Sequence, residues 1–370
     1  MPSVQHRPPD HEICSMIRNT LIKLLLAPFS LLYGLAIAIR NLLYRQEILR
    51  PARFDIPVIS VGNLSIGGTG KSPHIEYLIR WLKEYTPLAI LSRGYKRQST
   101  GFRIGQQDPS VKSIGDEPYQ FLMKFPDVPV AVAESRELGI PLLLKSYPDT
   151  RLILLDDAFQ HLSVKPFINI LLTAYDLPFT RDYILPSGRL REWRASYRRA
   201  DIIVVTKCPP GLTTEQANTL KEELKPLPHQ TLFFSEYAYG TPYFIFNPGL
   251  RLRWNPEHYA LLVSGIANTE YLQTFVRSQI KYLHLFPFAD HHWFSNYDLG
   301  QIKRQFDSLP GTGKFILTTE KDATRLALHR DYILENKIPI FVLPVEVRFL
   351  FNDEERFKNT LSGKLLDFKS

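Results

Sequence analysis

Cysteine is scarce in this chain of 370 residues, which contains only Cys14 and Cys208. Two cysteines so far apart exclude a disulfide framework and a thiolate metal site, and we expect both to be free thiols in a reducing compartment. Internal repeats and low-complexity tracts are also missing. Hydrophobic residues make up 44% and charged residues 22%. This composition excludes a polytopic membrane protein, a collagen-like chain and a wholly disordered chain.

Negative charge is in deficit, because 37 acidic residues face 45 Lys and Arg and leave a formal net charge of +8. Such a balance suits an anionic partner, which could be a membrane surface, a phosphorylated substrate or nucleic acid. The basic residues are dispersed and are not set among aromatic residues on one face. We therefore expect no nucleic-acid partner.

Long apolar runs are missing except near the N-terminus, where uncharged residues extend over 24–39 between Lys23 and Arg40. The run is shorter than the ~20 residues of a comfortable transmembrane helix, and Pro28 and Gly34 weaken it further. A cleaved signal peptide, a single-span anchor and a core helix are alternatives. An interfacial helix or hairpin with basic ends suits anionic headgroups best. We expect residues 1–50 to associate with an anionic membrane surface.

Short apolar runs alternate with helical patterns over the rest of the chain. Runs rich in Val, Ile and Leu that are separated by helices are typical of βαβ units and a mostly parallel sheet. The pattern predicts an α/β core over 51–230, with helices on both faces of its sheet, and a second, smaller α/β domain over 231–370. The predicted strands are 57–61, 88–91, 128–133, 152–155, 168–173 and 202–206, followed by 231–237, 259–263, 315–318 and 338–343.

A glycine-rich loop that ends in Lys71 and Ser72 is the strongest motif of the chain. An apolar strand precedes the loop and a helix follows it. Glycines let backbone N–H groups surround phosphate oxygens, the lysine reaches the β- and γ-phosphates, and the hydroxyl can bind Mg²⁺. This context predicts a phosphate-loop NTPase-like domain that binds a nucleotide. The predicted nucleotide contacts in the loop are Ser65, Ile66, Gly67, Gly68, Thr69, Gly70, Lys71 and Ser72.

Carboxylates follow a second apolar strand, at Asp156 and Asp157. The carboxyl ends of strands in an open α/β sheet border the crevice where ligands bind. One of these carboxylates could hold Mg²⁺ directly or through water. The sequence therefore predicts Ser72, Asp156 and Asp157 as metal ligands.

Further polar clusters occupy loop positions. Residues 186–192 are rich in groups that bind anions or pair with them. Asp290, His291 and His292 could suggest a metal pair, but adjacent side chains on a strand point to opposite faces. A histidine paired with a carboxylate is the better interpretation.

Together these motifs resemble the tetraacyldisaccharide 4'-kinase family, whose members phosphorylate a disaccharide lipid of lipid A biosynthesis with ATP. Two positions depart from the family pattern: Ala158 stands where Gly is usual, and Ser72 stands where Thr is more frequent. The matching stretches are residues 61–73, 92–95, 115–118, 156–161, 185–192, 290–291 and 319–323, in the order of the family and over most of the chain.

The resemblance implies ATP and Mg²⁺ as cofactors and a tetraacyldisaccharide 1-phosphate as the acceptor lipid, with lipid IVA as the product. It places the chain at the cytoplasmic face of the inner membrane of a Gram-negative bacterium, peripheral or shallowly inserted. The acyl chains of this lipid would lie in the bilayer. The enzyme would then need a surface that contacts the membrane, and the segment 24–39 is the candidate. ATP in the cytoplasm argues against a cleaved signal peptide.

The resemblance also implies roles for single residues. Asp116 would accept the proton of the sugar hydroxyl, and His291 would be its partner when the two domains close. Lys71, together with Mg²⁺ held by Ser72 with help from the pair Asp156 and Asp157, would neutralise the transferring phosphoryl group, and Asp157 counts among the catalytic residues. The further site residues implied are Arg191 and Glu192, which would organise the nucleotide or substrate side of the cleft, and, more weakly, Tyr95, Gln160 and His161.

Two other classes of protein share parts of this pattern. A phosphate-loop GTPase or an ATP-dependent ligase has the same type of sheet, and Val-Val-Thr-Lys at 204–207 is similar to a base-reading strand end. A membrane-docked nucleotide switch is the non-enzymatic alternative, but it would leave Asp116 and His291 without a chemical task.

Overall fold

Buried runs of Val, Ile and Leu form most strands of the protein, and the segments between them form helices. The computed structural model describes residues 10–266 and 269–369, with side chains from Ile22 onward. The helices are α1 Asp10–Arg45, α2 Lys71–Leu82, α3 Val111–Ile114, α4 Asp116–Lys124, α5 Arg136–Ser146, α6 Thr214–Leu224, α7 Glu270–Gln279, α8 Asn296–Ser308, α9 Glu320–Leu326, α10 Arg330–Glu335 and α11 Glu354–Leu366. The strands are β1 Val58–Asn63, β2 Leu88–Ser92, β3 Arg103–Ile104, β4 Val130–Val132, β5 Leu152–Asp156, β6 Ile168–Ala174, β7 Ile202–Thr206, β8 Thr231–Tyr239, β9 Tyr243–Phe244, β10 Asn247–Arg251, β11 Tyr259–Ser264, β12 Tyr282–Pro287, β13 Lys314–Thr319, β14 Ile340–Leu343 and β15 Val345–Phe349.

The first sheet has nine strands in the order β15-β8-β7-β6-β1-β5-β2-β4-β3. Its inner pairs are parallel, and only the two edge strands β3 and β15 run antiparallel to their neighbours. Strand β1, which leads into the glycine-rich loop, lies at the centre. Val61 of β1 is in register with Asp156 of β5, so the loop and the acidic strand end leave the sheet side by side.

The second sheet has six strands in the order β10-β9-β14-β13-β11-β12. Strands β11 to β14 pair in parallel, and β9 and β10 are antiparallel additions at one edge. Apolar side chains are buried on both faces of this sheet: Leu261 and Val263 pack on one face, and Ala260 and Leu262 pack on the other. The predicted fold class, a mostly parallel α/β core with a second smaller α/β unit, is confirmed.

The chain passes twice between the two sheets. Strand β8 lies in the first sheet beside β7, and β15 returns from the second sheet to cover the free edge of β8. Helix α11 then packs Phe357 and Leu361 against the same core as Ile59 of β1. Strand pairing thus assigns residues 231–239 and 345–366 to the first sheet, whereas the sequence-based division places them in 231–370. The domain ranges 1–50, 51–230 and 231–370 stay predictions, and residues 1–9 lie outside the described part of the chain.

Helix α1 is one continuous helix that passes through Pro28, not a hairpin. One side of it packs on the first sheet's loop 186–193, where Trp193 Nε1 donates to the Gly34 carbonyl at 2.8 Å. A Cβ on Gly34 would lie 2.4 Å from a ring carbon of Trp193, so a larger residue here would separate the helix from the loop. The glycine expected to weaken the helix therefore allows a close contact between the helix and the loop.

The other side of α1 is apolar and faces outward, which excludes a helix buried in the core. By length and composition, the 24-residue stretch Ile22–Arg45 could cross a membrane. The side chain of Cys14 lies outside the described part of the chain, and Cys208 is a free buried thiol. The exposed apolar side chains of α1 are Ile22, Leu24, Leu25, Phe29, Leu31, Leu32, Leu35, Ile39 and Leu42.

Candidate active site

The glycine-rich loop joins the centre of the first sheet to the N-terminus of α2. Gly67 and Gly70 have φ values of 106° and 85°, a region that L side chains rarely adopt, so glycine is required at both positions. Gly70 is the residue that precedes the first turn of α2, whose free N–H groups and dipole attract anions. Thr206, at the end of β7, donates its hydroxyl to the Thr69 carbonyl at 2.8 Å and anchors the loop.

The loop is also paired with the segment 189–191. Ile66 donates its N–H to the Arg189 carbonyl at 2.7 Å, and Arg191 donates its own to the Leu64 carbonyl at 2.7 Å. Ser65 forms an isolated antiparallel bridge with Leu190. These backbone contacts bring the predicted loop residues and Arg191 into one cluster.

Lys71, Arg191 and Asp157 meet at the mouth of the loop. Lys71 Nζ lies 3.6 Å from Asp157 Oδ1, and Arg191 Nη1 lies 3.0 Å from the same oxygen. Burial raises the pKa of Asp157, but the charges of Lys71 and Arg191 outweigh burial and leave this pKa below its usual value. Gln160 accepts a second hydrogen bond from Arg191 at 3.2 Å. Asp157 is therefore ionised. Lys71 and Arg191, which now contact its carboxylate, could contact phosphate oxygens of a bound nucleotide instead.

Asp156 differs from its neighbour because it is fully buried. Its Oδ2 accepts the Ser92 hydroxyl at 2.8 Å. Burial, then the charges of Asp157 and Glu117, raise the pKa of Asp156 to about 6. The two adjacent carboxylates thus have pKa values shifted in opposite directions.

The residues present fit Mg²⁺ by donor chemistry. Ser72, Asp156 and Asp157 offer hydroxyl and carboxylate oxygens, which are the ligands that this cation prefers. Among the side chains that the structure describes, no group of three or more His, Cys, Asp or Glu could hold a metal. Such a sparse set is typical of Mg²⁺ held mainly by nucleotide phosphates and water, with one or two carboxylates from the protein.

Asp116 and His291 lie in contact although 175 residues separate them. His291 Nδ1 is 2.9 Å from Asp116 Oδ2. Asp116 begins α4 on the first sheet, and His291 follows β12 of the second sheet with a positive φ of 61°. Both side chains are at least nine-tenths buried. The ring of Tyr95 packs edge-on against His291, with centroids 5.4 Å apart.

Cations from α9 support this pair. Arg325 Nη1 lies 3.5 Å from Asp116 Oδ2, and Lys321 Nζ lies 2.9 Å from His291 Nε2. Burial raises the pKa of Asp116, but the hydrogen bond from His291 and the charge of Arg325 outweigh it, so this pKa is below its usual value. Asp116 is ionised, as a proton acceptor must be.

A buried ionic cluster joins α4 and α9, and it also includes α2. Lys124, at the end of α4, lies 2.5 Å from a carboxylate oxygen of Glu76 on α2 and 2.5 Å from one of Glu320 on α9. Burial, and then the charge of Glu320, raise the pKa of Glu76 to about 7. The cluster ties the helix after the phosphate loop to the second sheet, so the two halves of the site are held together.

Glu192 occupies a different place from Arg191. Its carboxylate is fully buried, 2.8 Å from Arg40 of α1 and 2.8 Å from Arg199, and Asn41 donates to it at 3.2 Å. Because adjacent side chains point apart, Arg191 faces Asp157, whereas Glu192 faces the side of α1 that packs on the first sheet. The structure does not bring Glu192 to the phosphate loop, and its role at the nucleotide stays a prediction.

Several contacts were not singled out by the sequence. Lys321 and Arg325 lie one helical turn apart on α9, and Lys321 falls within the motif 319–323 that carries the family resemblance. Arg136 is fully buried and donates to the Asp156 carbonyl at 3.4 Å. Lys207 approaches the loop from the end of β7, with Nζ 3.7 Å from where a Cβ on Gly68 would lie. His161, in contrast, is one of the weaker candidates of the sequence; it is partly buried, and burial, followed by the charge of Arg136, lowers its pKa to about 4.

His74 connects the loop to β8 and gives a pH-dependent contribution to stability. Its Nδ1 lies 2.7 Å from the Gly70 carbonyl and its Nε2 3.0 Å from the Ser235 hydroxyl. Burial lowers its pKa from 6.5 to about 4, so the unfolded chain binds the extra proton first. We expect stability to fall as pH drops from 6.5 towards 4, by up to roughly 3 kcal/mol more in the wild type than in His74→Gln. Urea unfolding at pH 7.5, 6 and 4.5 measures this, and equal slopes against pH would contradict it.

A glycine-rich loop at the centre of a mostly parallel sheet, together with an ionised carboxylate that pairs with a histidine from the second sheet, defines a phosphate-loop nucleotide-dependent enzyme. The family model of tetraacyldisaccharide-1-P 4'-kinase matches residues 22–366. The tetraacyldisaccharide 4'-kinase of Phocaeicola vulgatus is 43% identical over 344 residues, which cover 91% of this chain and 93% of that protein. The chain belongs to the tetraacyldisaccharide-1-P 4'-kinase family.

Further relatives agree with this assignment. The tetraacyldisaccharide 4'-kinase of Bacteroides fragilis strain YCH46 is 42% identical over 345 residues, 91% of this chain and 92% of that protein. The crystal structure of LpxK from Aquifex aeolicus in complex with ATP is 30% identical with a TM-score of 0.71, and covers 93% of this chain and 99% of that chain. The family, the fold and the enzyme class predicted from the sequence are confirmed.

Proposed function

We propose that this chain transfers the γ-phosphoryl group of ATP to the 4'-hydroxyl of a tetraacyldisaccharide 1-phosphate, which yields lipid IVA. The observation that carries the proposal is the contact between Asp116 and His291 across the two sheets. A nucleotide switch needs a phosphate loop but has no use for a buried, ionised carboxylate held by an imidazole. A kinase needs this carboxylate to accept the proton of the attacking hydroxyl.

The phosphate loop and its cations would position ATP. The N–H groups around Gly70 and the dipole of α2 would bind the phosphates, and Lys71 would move from Asp157 to the γ-phosphoryl oxygens. Arg191 and Lys207 would add positive charge at the sides of the loop. Ser72, Asp156 and Asp157 would hold Mg²⁺, which supplies further neutralisation of the phosphates when bound.

Asp116 would take the proton from the sugar hydroxyl while His291 holds the carboxylate in place. The contacts of α4 with α9 close this side of the cleft, and closure limits the access of water to the transferring group. Since Asp116 is ionised and anchored by His291 and Arg325, it would already be in the form that accepts a proton. Exclusion of water would favour transfer to the sugar over hydrolysis.

The acceptor lipid and the membrane would meet the chain at α1. The outward apolar side of α1 suits acyl chains, and its basic residues and the net charge of +8 suit anionic headgroups. We propose a location at the cytoplasmic face of the inner membrane of a Gram-negative bacterium, because ATP is the phosphoryl donor.

A direct assay tests the proposed activity. Purified protein is incubated with ATP, Mg²⁺ and tetraacyldisaccharide 1-phosphate in detergent, and the lipid is analysed by mass spectrometry. We expect a product heavier by one phosphate, which depends on both ATP and Mg²⁺. Replacement of ATP by GTP is the comparison, and a lipid of unchanged mass under all conditions would contradict the proposal.

The membrane role of α1 is tested on its exposed side alone. Leu24, Leu31 and Leu35 are more than half exposed, and their replacement by Gln leaves the contacts of Gly34 intact. Because apolar burial in lipid contributes ~25 cal/mol per Å², we expect the triple variant to shift from the membrane pellet to the supernatant. Liposome sedimentation with anionic vesicles measures the shift.

The matched control is Leu366→Gln, which removes an even more exposed leucine at the end of α11. This control should sediment like the wild type. Sedimentation of the triple variant at the wild-type level would mean that the membrane contact lies elsewhere.

A further inference from the structure

Lys321 contacts the imidazole of His291 on the side opposite to Asp116. Its Nζ lies 2.9 Å from His291 Nε2, while His291 Nδ1 lies 2.9 Å from Asp116 Oδ2. Glu117 holds the lysine in place, with Oε1 3.0 Å from Nζ. An ammonium group, an imidazole and a carboxylate therefore form one row between α9 and α4.

The chemistry of the ammonium group decides which ring nitrogen carries the hydrogen. A lysine ammonium has three N–H donors and no acceptor. The nitrogen that faces it must accept, so His291 Nε2 is unprotonated. The hydrogen then resides on Nδ1 and is donated to Asp116.

We propose that Lys321 is a positioning residue that holds His291 as the neutral Nδ1–H tautomer, so that Asp116 remains a competent proton acceptor. The inference rests on the proposed function, since Lys321 acts through the pair assigned there. Lys321 requires no contact with the substrate for this task.

The charges around His291 show that Lys321 prevents a proton from residing on His291 Nε2. Asp290 Oδ2 lies 4.0 Å from His291 Nε2 and is the carboxylate that would favour a proton on that nitrogen. The ring of Tyr95 lies edge-on to the imidazole. Of the charged groups, Asp116, Lys321 and Asp290 lie within 4.0 Å of the imidazole nitrogens. Behind them, Glu117 contacts Lys321, Arg325 contacts Asp116, and Asp322 contacts Arg325.

Loss of Lys321 would release two unproductive forms of His291. An Nε2–H tautomer would turn the lone pair of Nδ1 towards the Asp116 carboxylate and repel it. An imidazolium between Asp116 and Asp290 would stabilise the ionised form of Asp116 and make it a weaker base. Both forms lower the rate of proton transfer without changing how ATP or lipid binds.

The expected kinetic effect follows from the two forms. In Lys321→Met, kcat should be lower than in the wild type by roughly tenfold, because the tautomer is no longer fixed. The loss should be larger at acidic pH, because acid favours the imidazolium once the ammonium group is gone.

The experiment measures kcat and both KM values for lipid phosphorylation from about pH 5.5 to 9. Lys321→Met should lose kcat with both KM values within about twofold of wild type. Lys321→Arg retains a cationic donor and should recover part of the rate and the wild-type pH profile. Lys303→Met is the matched control, because Lys303 pairs with Asp307 on the surface of α8. Lys321→Gln serves as a second variant if the Met variant is poorly folded.

A double variant tests the mechanism against a loss of packing. Lys321→Met/Asp290→Asn removes the carboxylate that favours a proton on His291 Nε2. It should be faster than Lys321→Met alone at acidic pH, whereas a purely structural defect would not be repaired.

The results that would overturn the assignment of Lys321 differ from the result that would overturn the proposed function. Wild-type kcat in Lys321→Met, a raised lipid KM at unchanged kcat, or an equal loss at every pH without rescue by Arg would overturn the assignment of Lys321. Absence of lipid phosphorylation by the wild type and by Lys303→Met would instead overturn the proposed function.

Discussion

Lys71→Ala lowers kcat by at least about two orders of magnitude on this account, with folding retained. Lys71 Nζ lies between Asp157 and Asn63 at the mouth of the phosphate loop, 3.6 Å from a carboxylate oxygen of the first and 3.5 Å from the amide oxygen of the second. A cation aimed at the transferring phosphoryl group in a water-poor site typically contributes this much. Steady-state lipid phosphorylation measures the loss, and thermal unfolding verifies the fold.

Lys83→Ala is the matched control, because Lys83 follows the same helix and pairs with Asp127 at the surface. It should leave the rate unchanged. Rapid phosphorylation by Lys71→Ala, or unfolding of this variant, would contradict the assignment of the phosphate loop.

The second large effect concerns Asp116 and His291 as a unit. Asp116→Asn and His291→Gln should each reduce kcat by roughly a hundredfold or more, since general base catalysis contributes 10²–10⁴. The double variant should lose much less than the product of the two losses, because each role depends on the other residue. ATP affinity should change little. A double-mutant cycle on kcat, with ATP binding measured separately, tests both statements.

His292 and Asp298 supply a control cycle next to the site. His292 Nε2 lies 3.1 Å from Asp298 Oδ2, so this is a second His–Asp pair in the same unit. Its variants should leave kcat near the wild-type value. Multiplicative losses in the Asp116 and His291 cycle would show that the two residues act separately, and a large loss of ATP affinity in Asp116→Asn would make it a nucleotide or Mg²⁺ ligand.

Local features of the site could be predicted from the sequence because neighbours in the chain create them. Strand β1, the glycine-rich loop and α2 follow one another, so the phosphate loop can be recognised from one continuous stretch of sequence. The parallel direction of β1 and β5 follows from the βαβ pattern, and in the structure the two strands are neighbours, which brings Asp156 beside the loop. The approach of His291 to Asp116 was expected only through the family resemblance, since spacing in the chain contains no information on it.

Features that depend on tertiary packing could not be predicted in this way. Arg191 and Glu192 are adjacent in sequence, yet the first faces Asp157 and the second is buried under α1 by Arg40. Lys321 belongs to a recognisable motif, but its partner His291 lies in a different loop. The return of β15 and α11 to the first sheet depends on a free strand edge that exists only after β8 has formed.

The fate of the γ-phosphoryl oxygens tests the central claim most directly. ATP labelled with ¹⁸O on its γ-phosphoryl group is incubated with the protein, Mg²⁺ and tetraacyldisaccharide 1-phosphate, and both the lipid and free phosphate are analysed by mass spectrometry. Attack by the sugar hydroxyl on phosphorus predicts a lipid that carries one new phosphate with three labelled oxygens, and little labelled inorganic phosphate. Label found only in inorganic phosphate, with the lipid unchanged, would mean that the chain hydrolyses the nucleotide and is not the kinase proposed here.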